Sequence, residues 1–341
     1  AAALRFRQSV LGAVADVGVA TPRVIPTVDG ATWAALDDGR MAHVYSWFAG
    51  VAYREAGRPP ELAHGIGVAA GEIVGALADL PAGPHPPRFL WDLSDAGTII
   101  RERSIAVDDP RRLRLIERAL TRCDEIELDT LPRQVIQNDL NDENILVRDG
   151  AVSGVIDFSD AIHTVRVAEL AIACTYAMLD QDDPVSVACE VVAGYRSVAL
   201  LTDPEACALL DLIIARLATS VTVSASRGSA NPHHSISEDL AWDLLERLLA
   251  GDLDAIAEEL AAAGGGVHTR AAQQTDLLER RSALGPSLSL SYEEPLSIVR
   301  GSGRHLFDER GRRYLDCVNN VCHGGHSNPV VIAAGADQSF V

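Results

Sequence analysis

The chain has little that would tie it to a membrane, a nucleic acid or an oxidising compartment. No apolar run reaches the ~18 residues that a helix needs to cross a bilayer. No basic stretch precedes an apolar core at the start, so no signal peptide is read. The first residue is Ala rather than Met, which reads as a fragment of a longer product. Basic residues are scarce, with 29 Lys and Arg against 48 Asp and Glu, a net charge of -19. That balance argues against nucleic acid as the main partner, because phosphate binding needs a clustered basic face. It suits solubility, and it would also attract amine-bearing substrates or metal ions. The six cysteines (Cys123, Cys174, Cys189, Cys207, Cys317 and Cys322) form no CxxC pair and no disulfide-framework spacing. Most read as small core residues, and a reducing cytoplasm is the compartment they suit.

What is present is ordinary globular composition, 48% apolar and 23% charged over 341 residues, enough for two domains. Helical spacing runs over residues 4–17, with Leu4, Val10, Leu11 and Val14 on one face, and again over 61–80 and 110–128. Met41 to Phe48 is an apolar stretch rich in strand formers. Ile145–Val147 and Val152–Ile156 are short apolar runs around Asp149-Gly150, a hairpin turn signal. Beyond Phe158, helices are expected over 167–179, 185–198, 204–226 and 236–262. The third carries the apolar stripe Leu209, Leu210, Ile213, Ile214 and Leu217. Ala261 to Gly266 breaks the pattern, placing a domain boundary near Gly264, with a polar linker behind it.

The densest chemical signal is Gln137-Asn138-Asp139-Leu140-Asn141-Asp142-Glu143-Asn144, then the hairpin, then Asp157-Phe158-Ser159-Asp160. If Asp149 and Gly150 are the loop residues, Arg148 faces Ala151 and Asn144 faces Val155. Asp157 then falls just past the strand end beside Asn144, with Asp139 in the loop entering the hairpin. Three oxygen-bearing side chains converge. Such a cluster suits phosphoryl transfer. An Asp orients the acceptor hydroxyl and takes its proton, while an Asn and a second Asp offer the hard oxygen ligands that Mg²⁺ prefers. Any one of these residues alone would read as a solvated loop side chain. Asp139, Asn144 and Asp157 in this order are far more specific.

These residues resemble the aminoglycoside phosphotransferase and choline kinase family, whose pattern is H-G-D-x-x-x-x-N followed by a strand pair and I-D-F/W-x-D. The chain matches at Asp139, Asn144, Asp157, Phe158 and Asp160, and departs at Gln137 and Asn138, where the family has His and Gly. Hydroxylysine kinase-like members look most similar, through Asp139 to Asp142. The resemblance implies an α+β, protein-kinase-like fold over about residues 1–262, with Asp139 as catalytic base and Asn144 and Asp157 as Mg²⁺ ligands, using ATP or GTP. It implies that Met41 to Phe48 leads into the hinge that grips the nucleotide base, and that Trp91-Asp92-Leu93 is a family feature. The helices after residue 167 would shape the acceptor site. Glu169 and Tyr176, on one of them, read as structural rather than substrate-binding. A kinase also needs a Gly-rich loop and a strand Lys before its first long helix. Residues 1–48 would be the remnant of a truncated N-lobe lacking both, 49–263 a helical C-lobe, 264–280 a linker, and the isolated chain is expected to be inactive.

Residues 281–341 have another texture. Pro295-Leu296, Arg300-Gly301-Ser302-Gly303, Tyr314-Leu315-Asp316 and Gly325-His326-Ser327-Asn328-Pro329 resemble the opening of class III aminotransferases, especially the phospholyase branch. Without that resemblance they read as a small β-rich unit with turns at Gly301-Ser302-Gly303 and Glu309-Arg310-Gly311. The resemblance implies a partial pyridoxal phosphate transferase segment whose cofactor lysine is absent here, and a possible homo-oligomer through that domain. His323 and His326 lack a third ligand and are not taken as a metal site. A kinase fused to a phospholyase-like partner makes one product the next substrate. This favours hydroxylysine or an amino alcohol as the acceptor over an antibiotic, and an enzyme over a non-catalytic binding module.

Overall fold

The computed structural model describes residues 2–16, 20–84, 89–227 and 235–264, together with three strands between 298 and 315. The chain divides into two compact units, Ala1–Gly264 and Gly265–Val341.

The first unit opens with helix α1 (Ala2–Asp16), whose Leu4, Val10, Leu11 and Val14 are buried as their spacing requires. Four two-residue strands follow, β1 (Val24–Ile25), β2 (Ala34–Ala35), β3 (Met41–Ala42) and β4 (Val44–Tyr45). β1 pairs with β4 and β2 with β3, both antiparallel. The expected continuous strand from Met41 to Phe48 is therefore broken at His43, and Ser46 to Phe48 is irregular chain. The run is mostly exposed, with Met41, Val44, Tyr45 and Trp47 all open to solvent.

β5 (Val51–Ala52) joins the hairpin made by β7 (Ile145–Arg148) and β8 (Ala151–Val155). Asp149 and Gly150 both adopt positive φ (54° and 73°), the geometry of a two-residue hairpin loop. Arg148 faces Ala151 as expected. Val155, however, pairs with Ile145 rather than Asn144, because a bulge between Leu146 and Val147 leaves Ser153 as an extra residue on β8. Asn144 instead accepts a hydrogen bond at 2.9 Å from the Ile156 N–H. β6 (Arg133–Ile136) pairs antiparallel with β9 (Ile162–Val165) and so returns the chain beside the base of the hairpin.

The remainder is helical: α2 (Ala63–Ala76), α3 (Ala96–Arg103), α4 (Pro110–Asp124), α5 (Ala168–Ala177), α6 (Pro184–Val198), α7 (Asp203–Arg227), α8 (Ser235–Ala250) and α9 (Leu253–Ala262). The single helix expected over 236–262 is two. Gly251 and Asp252 interrupt it, and Asp252 caps α9 by accepting the Ala255 N–H. The Asp109 and Asp183 side chains cap α4 and α6, each followed by Pro at the first helical position. α2 and α6 cross closely where both carry glycine. A Cβ on Gly67 would lie 1.8 Å from the Val191 carbonyl oxygen, and one on Gly194 would lie 1.9 Å from that of His64.

α7 runs through the middle of the helical layer, packed by α3, α4, α5, α8 and α9. Its predicted stripe, Leu209 to Leu217, is buried, and so are most of its other faces. α7 is long and apolar enough to cross a bilayer by length and average composition alone, although Asp211 and Arg216 interrupt its apolar run. It is apolar all round because neighbours cover it all round, with 89% of its most apolar window buried. Each fully buried Leu or Ile here contributes about 1.5–3 kcal/mol. Of the described cysteines, Cys174 is buried, Cys123 and Cys189 are partly buried and Cys207 is exposed, so the core reading holds fully only for Cys174.

In the second unit, β10 (Ile298–Ser302), β11 (His305–Asp308) and β12 (Arg313–Leu315) form an antiparallel meander. Gly301 and Ser302, read as turn residues, end β10 instead. His323, His326, Cys317, Cys322 and the polar linker lie outside the described residues.

Candidate active site

The loop between β6 and β7 carries the motif, and its backbone explains its residue types. Asn138 sits at φ 68°, a left-handed conformation that Gly adopts freely and Asn tolerates better than most residues. Asn therefore does here what Gly would do. Its N–H donates to the Glu169 carboxylate on α5 at 2.9 Å, and its side-chain amide donates to the Trp91 carbonyl at 3.4 Å. Glu169 thus holds the loop from beneath, a structural task. It is fully buried, and burial pushes its pKa up to about 7 against the lowering effect of the hydrogen bonds it accepts.

Gln137 is also fully buried. Its Nε2 donates to the Asp157 carbonyl at 2.6 Å, and its Oε1 accepts the Asp139 N–H at 2.8 Å. One side chain ties the loop bearing Asp139 to the turn bearing Asp157. Loop positioning therefore survives without a His at this place.

Asp139 is held from three sides. Oδ1 accepts from the Asn141 amide at 3.0 Å and from Arg216 Nη2 at 3.2 Å, and Oδ2 accepts from Asn144 Nδ2 at 2.9 Å. Burial raises its pKa to about 6, opposed by Arg216 and assisted by the negative charges of Asp160 and Asp157. A carboxylate with a pKa near the operating pH is well placed to accept a proton from an alcohol as it attacks.

Asn144 Nδ2 donates to both the carbonyl and the carboxylate of Asp139. That fixes the amide and leaves its Oδ1 as an acceptor with no hydrogen bond among the described residues. Asp157, in left-handed backbone at φ 57°, accepts the Ser159 N–H on Oδ1 and leaves Oδ2 equally free. Asp160 has a raised pKa, first through burial and then through Asp157. Two unengaged hard oxygens beside carboxylates that repel one another fit a small divalent cation, which needs few protein ligands when phosphate oxygens and water complete its shell. Among the described residues, no group of three or more His, Cys, Asp or Glu is arranged for a metal, as expected if one ligand is an Asn.

Asp157 also forms the edge of a cavity of about 530 Å³, lined by Arg7 of α1, His43, Tyr45, Ser46, Trp47 and Phe48 of the β3–β5 segment, and Leu146 and Ile156 of the hairpin. Its size and largely apolar walls suit a purine nucleotide, and the segment expected to lead to a hinge lines it. Asp92, in the expected Trp91-Asp92-Leu93 feature, accepts hydrogen bonds from Ser94 and from Thr164 Oγ1 on β9.

The sequence reading missed Arg216. It lies on α7 between Ile214 and Leu217, 2% exposed, with its guanidinium 4.8 Å from the centre of the Trp91 ring and bonded to the Tyr176 hydroxyl at 3.2 Å. The signal was a charge set in an otherwise apolar stripe. Tyr176 therefore holds Arg216, in keeping with a structural assignment.

A cleft with a purine-sized cavity on one side and a braced carboxylate on the other is the arrangement of a phosphotransferase. A family profile described as "Phosphotransferase enzyme family" matches residues 1–210, and the chain belongs to that family. The chain is 33% identical to hydroxylysine kinase of Xenopus laevis over 183 residues, which is 48% of this chain and 49% of that protein. It thus spans about half the length of that relative. A stretch of 60 residues is 53% identical to "Alanine--glyoxylate aminotransferase 2-like" of Drosophila melanogaster, covering 17% of this chain and 12% of that protein. Among solved structures, an aminoglycoside phosphotransferase from Alicyclobacillus acidocaldarius superposes with a TM-score of 0.54 at 14% identity, over 76% of this chain and 83% of that one. The fold is the protein-kinase-like fold, mixed α and β with helix dominant.

Proposed function

We propose that the protein transfers the γ-phosphate of ATP or GTP to the hydroxyl of a small amine or amino acid, with Asp139 as the base. The observation that carries this reading is the single network joining Asp139, Asn144, Gln137 and Asp157. Asn144 and Asp157 would hold Mg²⁺, which when bound neutralises charge on the transferred phosphate. Asn141, Asn144 and Arg216 aim the Asp139 carboxylate, and Asp139 receives the hydroxyl proton. The nucleotide base occupies the cavity beside Ser46 to Phe48. The hydroxylysine kinase relatives and the aminotransferase-like stretch support an amine-bearing acceptor whose phosphorylated product is processed further, and a cytoplasmic setting. Pyridoxal phosphate has no covalent anchor within these residues, because the chain contains no lysine.

A protein that also carries a Gly-rich loop and a strand Lys would be assayed with Mg-ATP and Mg-GTP against hydroxylysine, ethanolamine, choline, homoserine and aminoglycosides, beside the isolated chain, which is expected to be inactive. Turnover of hydroxylysine or an amino alcohol is expected. Asp139→Asn should lower the rate by about 10²–10⁴-fold, and Asp157→Asn should raise the Mg²⁺ concentration needed for half-maximal rate. Unchanged rates in both variants would remove the assignment.

A further inference from the structure

Among the described residues, five that are not glycine have positive φ: Arg58, Asn138, Asp149, Asp157 and Asp180. Asn and Asp tolerate this left-handed backbone better than other residues, because their short side chains bond locally. Arg has no such relief. Arg58 sits at φ 49° between Gly57 and Pro59, where a glycine would rest without strain. Strain kept at one residue points to a task for its side chain. Here Nε donates to Asp142 Oδ2 at 2.8 Å and Nη2 lies 2.7 Å from the same oxygen, with the two side chains only 7% and 4% exposed. Asp142 belongs to the irregular loop between β6 and β7, three residues after Asp139 and two before Asn144. The turn that carries Arg58 grips the same loop through its backbone. The Arg54 N–H donates to the Asp142 carbonyl at 2.9 Å, and the Tyr53 N–H to the Ile145 carbonyl at 2.8 Å. Arg58 is itself held from behind. Its carbonyl accepts Gln181 Nε2 at 2.8 Å, and the Gln181 carbonyl accepts Arg247 Nη1 of α8 at 2.9 Å.

We propose that Arg58 is a positioning residue, which through Asp142 fixes the loop that presents Asp139 and Asn144. The proposal rests on the kinase reading of those two residues. Arg58 bonds to neither of them and does not line the cavity beside Asp157, so it acts on the reaction only through the loop. That loop has no strand or helix of its own. Glu169 and Arg216 hold its first half from the helices, and Arg58 holds its second half from the turn after β5. A buried charge stripped of its partner is costly, so an unpaired Asp142 drives the loop outward to meet water. Asn144 and Asp139 move with it. β5 starts beside Gly50, which lines the cavity. One short stretch of chain therefore fixes both a wall of the proposed nucleotide site and the loop that carries the base.

The test reads amide hydrogen exchange in the full chain, and turnover in the protein that also carries a Gly-rich loop and a strand Lys. Arg58→Gly combined with Asp142→Asn removes both charges and the backbone strain together, so no unpaired charge is left buried. Arg122→Gln, which breaks the Arg122–Asp211 pair joining α4 to α7, controls for lost stability alone. In the double variant the amides of Asp139 and Asn144 should exchange about tenfold faster. There kcat should fall by about 10²-fold, with KM for ATP unchanged because the backbone bonds of Tyr53 and Arg54 keep the cavity wall. Arg122→Gln should alter neither the loop amides nor kcat. Unchanged loop exchange in the double variant, or an equal rise in Arg122→Gln, overturns the proposal. So does faster exchange with unchanged kcat, which would mean a loop held for folding and not for the reaction. Should the double variant not fold, Arg58→Lys, which keeps a charge for Asp142 and loses the planar fork, is read against the same outcomes. If the wild type turns over no acceptor, the kinase reading fails. Exchange then decides alone whether Arg58 holds the loop, faster exchange supporting it and unchanged exchange refuting it.

Discussion

Glu169→Gln should make the protein more stable at alkaline pH and almost unchanged in acid. Glu169 is fully buried under the catalytic loop, and its folded pKa is raised from 4.5 to about 7. A carboxyl whose folded pKa lies above its unfolded value favours the folded state less as pH rises, because the unfolded chain ionises first. The wild-type cost is therefore near zero below pH 4.5 and grows until about pH 7. For this shift it is about 1 kcal/mol at pH 5 and about 3 kcal/mol at pH 8. Gln carries no charge, and its Oε1 can accept the same Asn138 N–H. Urea unfolding of both proteins at pH 5, 6, 7 and 8 would read the difference directly, since every other titrating group cancels between them. The gap should widen by about 2 kcal/mol from pH 5 to pH 8. A gap that is flat with pH, or a Gln variant less stable at pH 8, would refute the reasoning and show that Glu169 is ionised and held by its neighbours.

Gln137→Ala removes the bridge between the Asp139 loop and the Asp157 turn, strands a half-buried N–H and a half-buried carbonyl, and should cost about 1–3 kcal/mol in chemical denaturation. The same variant should lower kcat more than tenfold at saturating substrate, with Gln137→His closer to wild type. Gly67→Ala drives a methyl into the Val191 carbonyl and should cost about 3 kcal/mol in thermal unfolding. Gly75→Ala, where a Cβ meets nothing within 4 Å, should gain about 0.5 kcal/mol in the same measurement.

The sequence disclosed the hairpin turn, because Asp149-Gly150 supplies both left-handed residues that the loop demands. It also disclosed six of the helices of the first unit, because their apolar residues recur on one face. α3 was not read. The break between α8 and α9 was missed because the apolar rhythm carries on past it, while the Asp252 cap is a local hydrogen bond that rhythm does not report. The Met41 to Phe48 stretch was read as strand-forming, and it forms two short strands broken at His43, since composition reports strand preference and not where pairing stops. The three acidic and amide positions of the site were legible because they cluster in sequence. Arg216 was not, because it arrives from a helix 77 residues beyond Asp139, and only the folded chain places them together. The substitutions at Gln137 and Asn138 looked like departures, and the backbone shows that both keep the geometry.

The bulge on β8 sets the phase of the whole site. In a regular hairpin, each residue added to one strand pairs one step further along the other, and Asp157 would stand level with Asp142. Ser153 takes up a place without a partner, so every later residue of that strand is delayed by one. The register after it sets Val155 against Ile145, so Asp157 falls level with Glu143, one residue and about 3.3 Å nearer to Asn144. The hairpin thus acts as a vernier. A single unpaired residue decides whether Asn144 and Asp157, the proposed metal ligands flanking the two strands, come within reach of one ion. Deleting Ser153 would leave every residue of the motif in place and put the motif out of step.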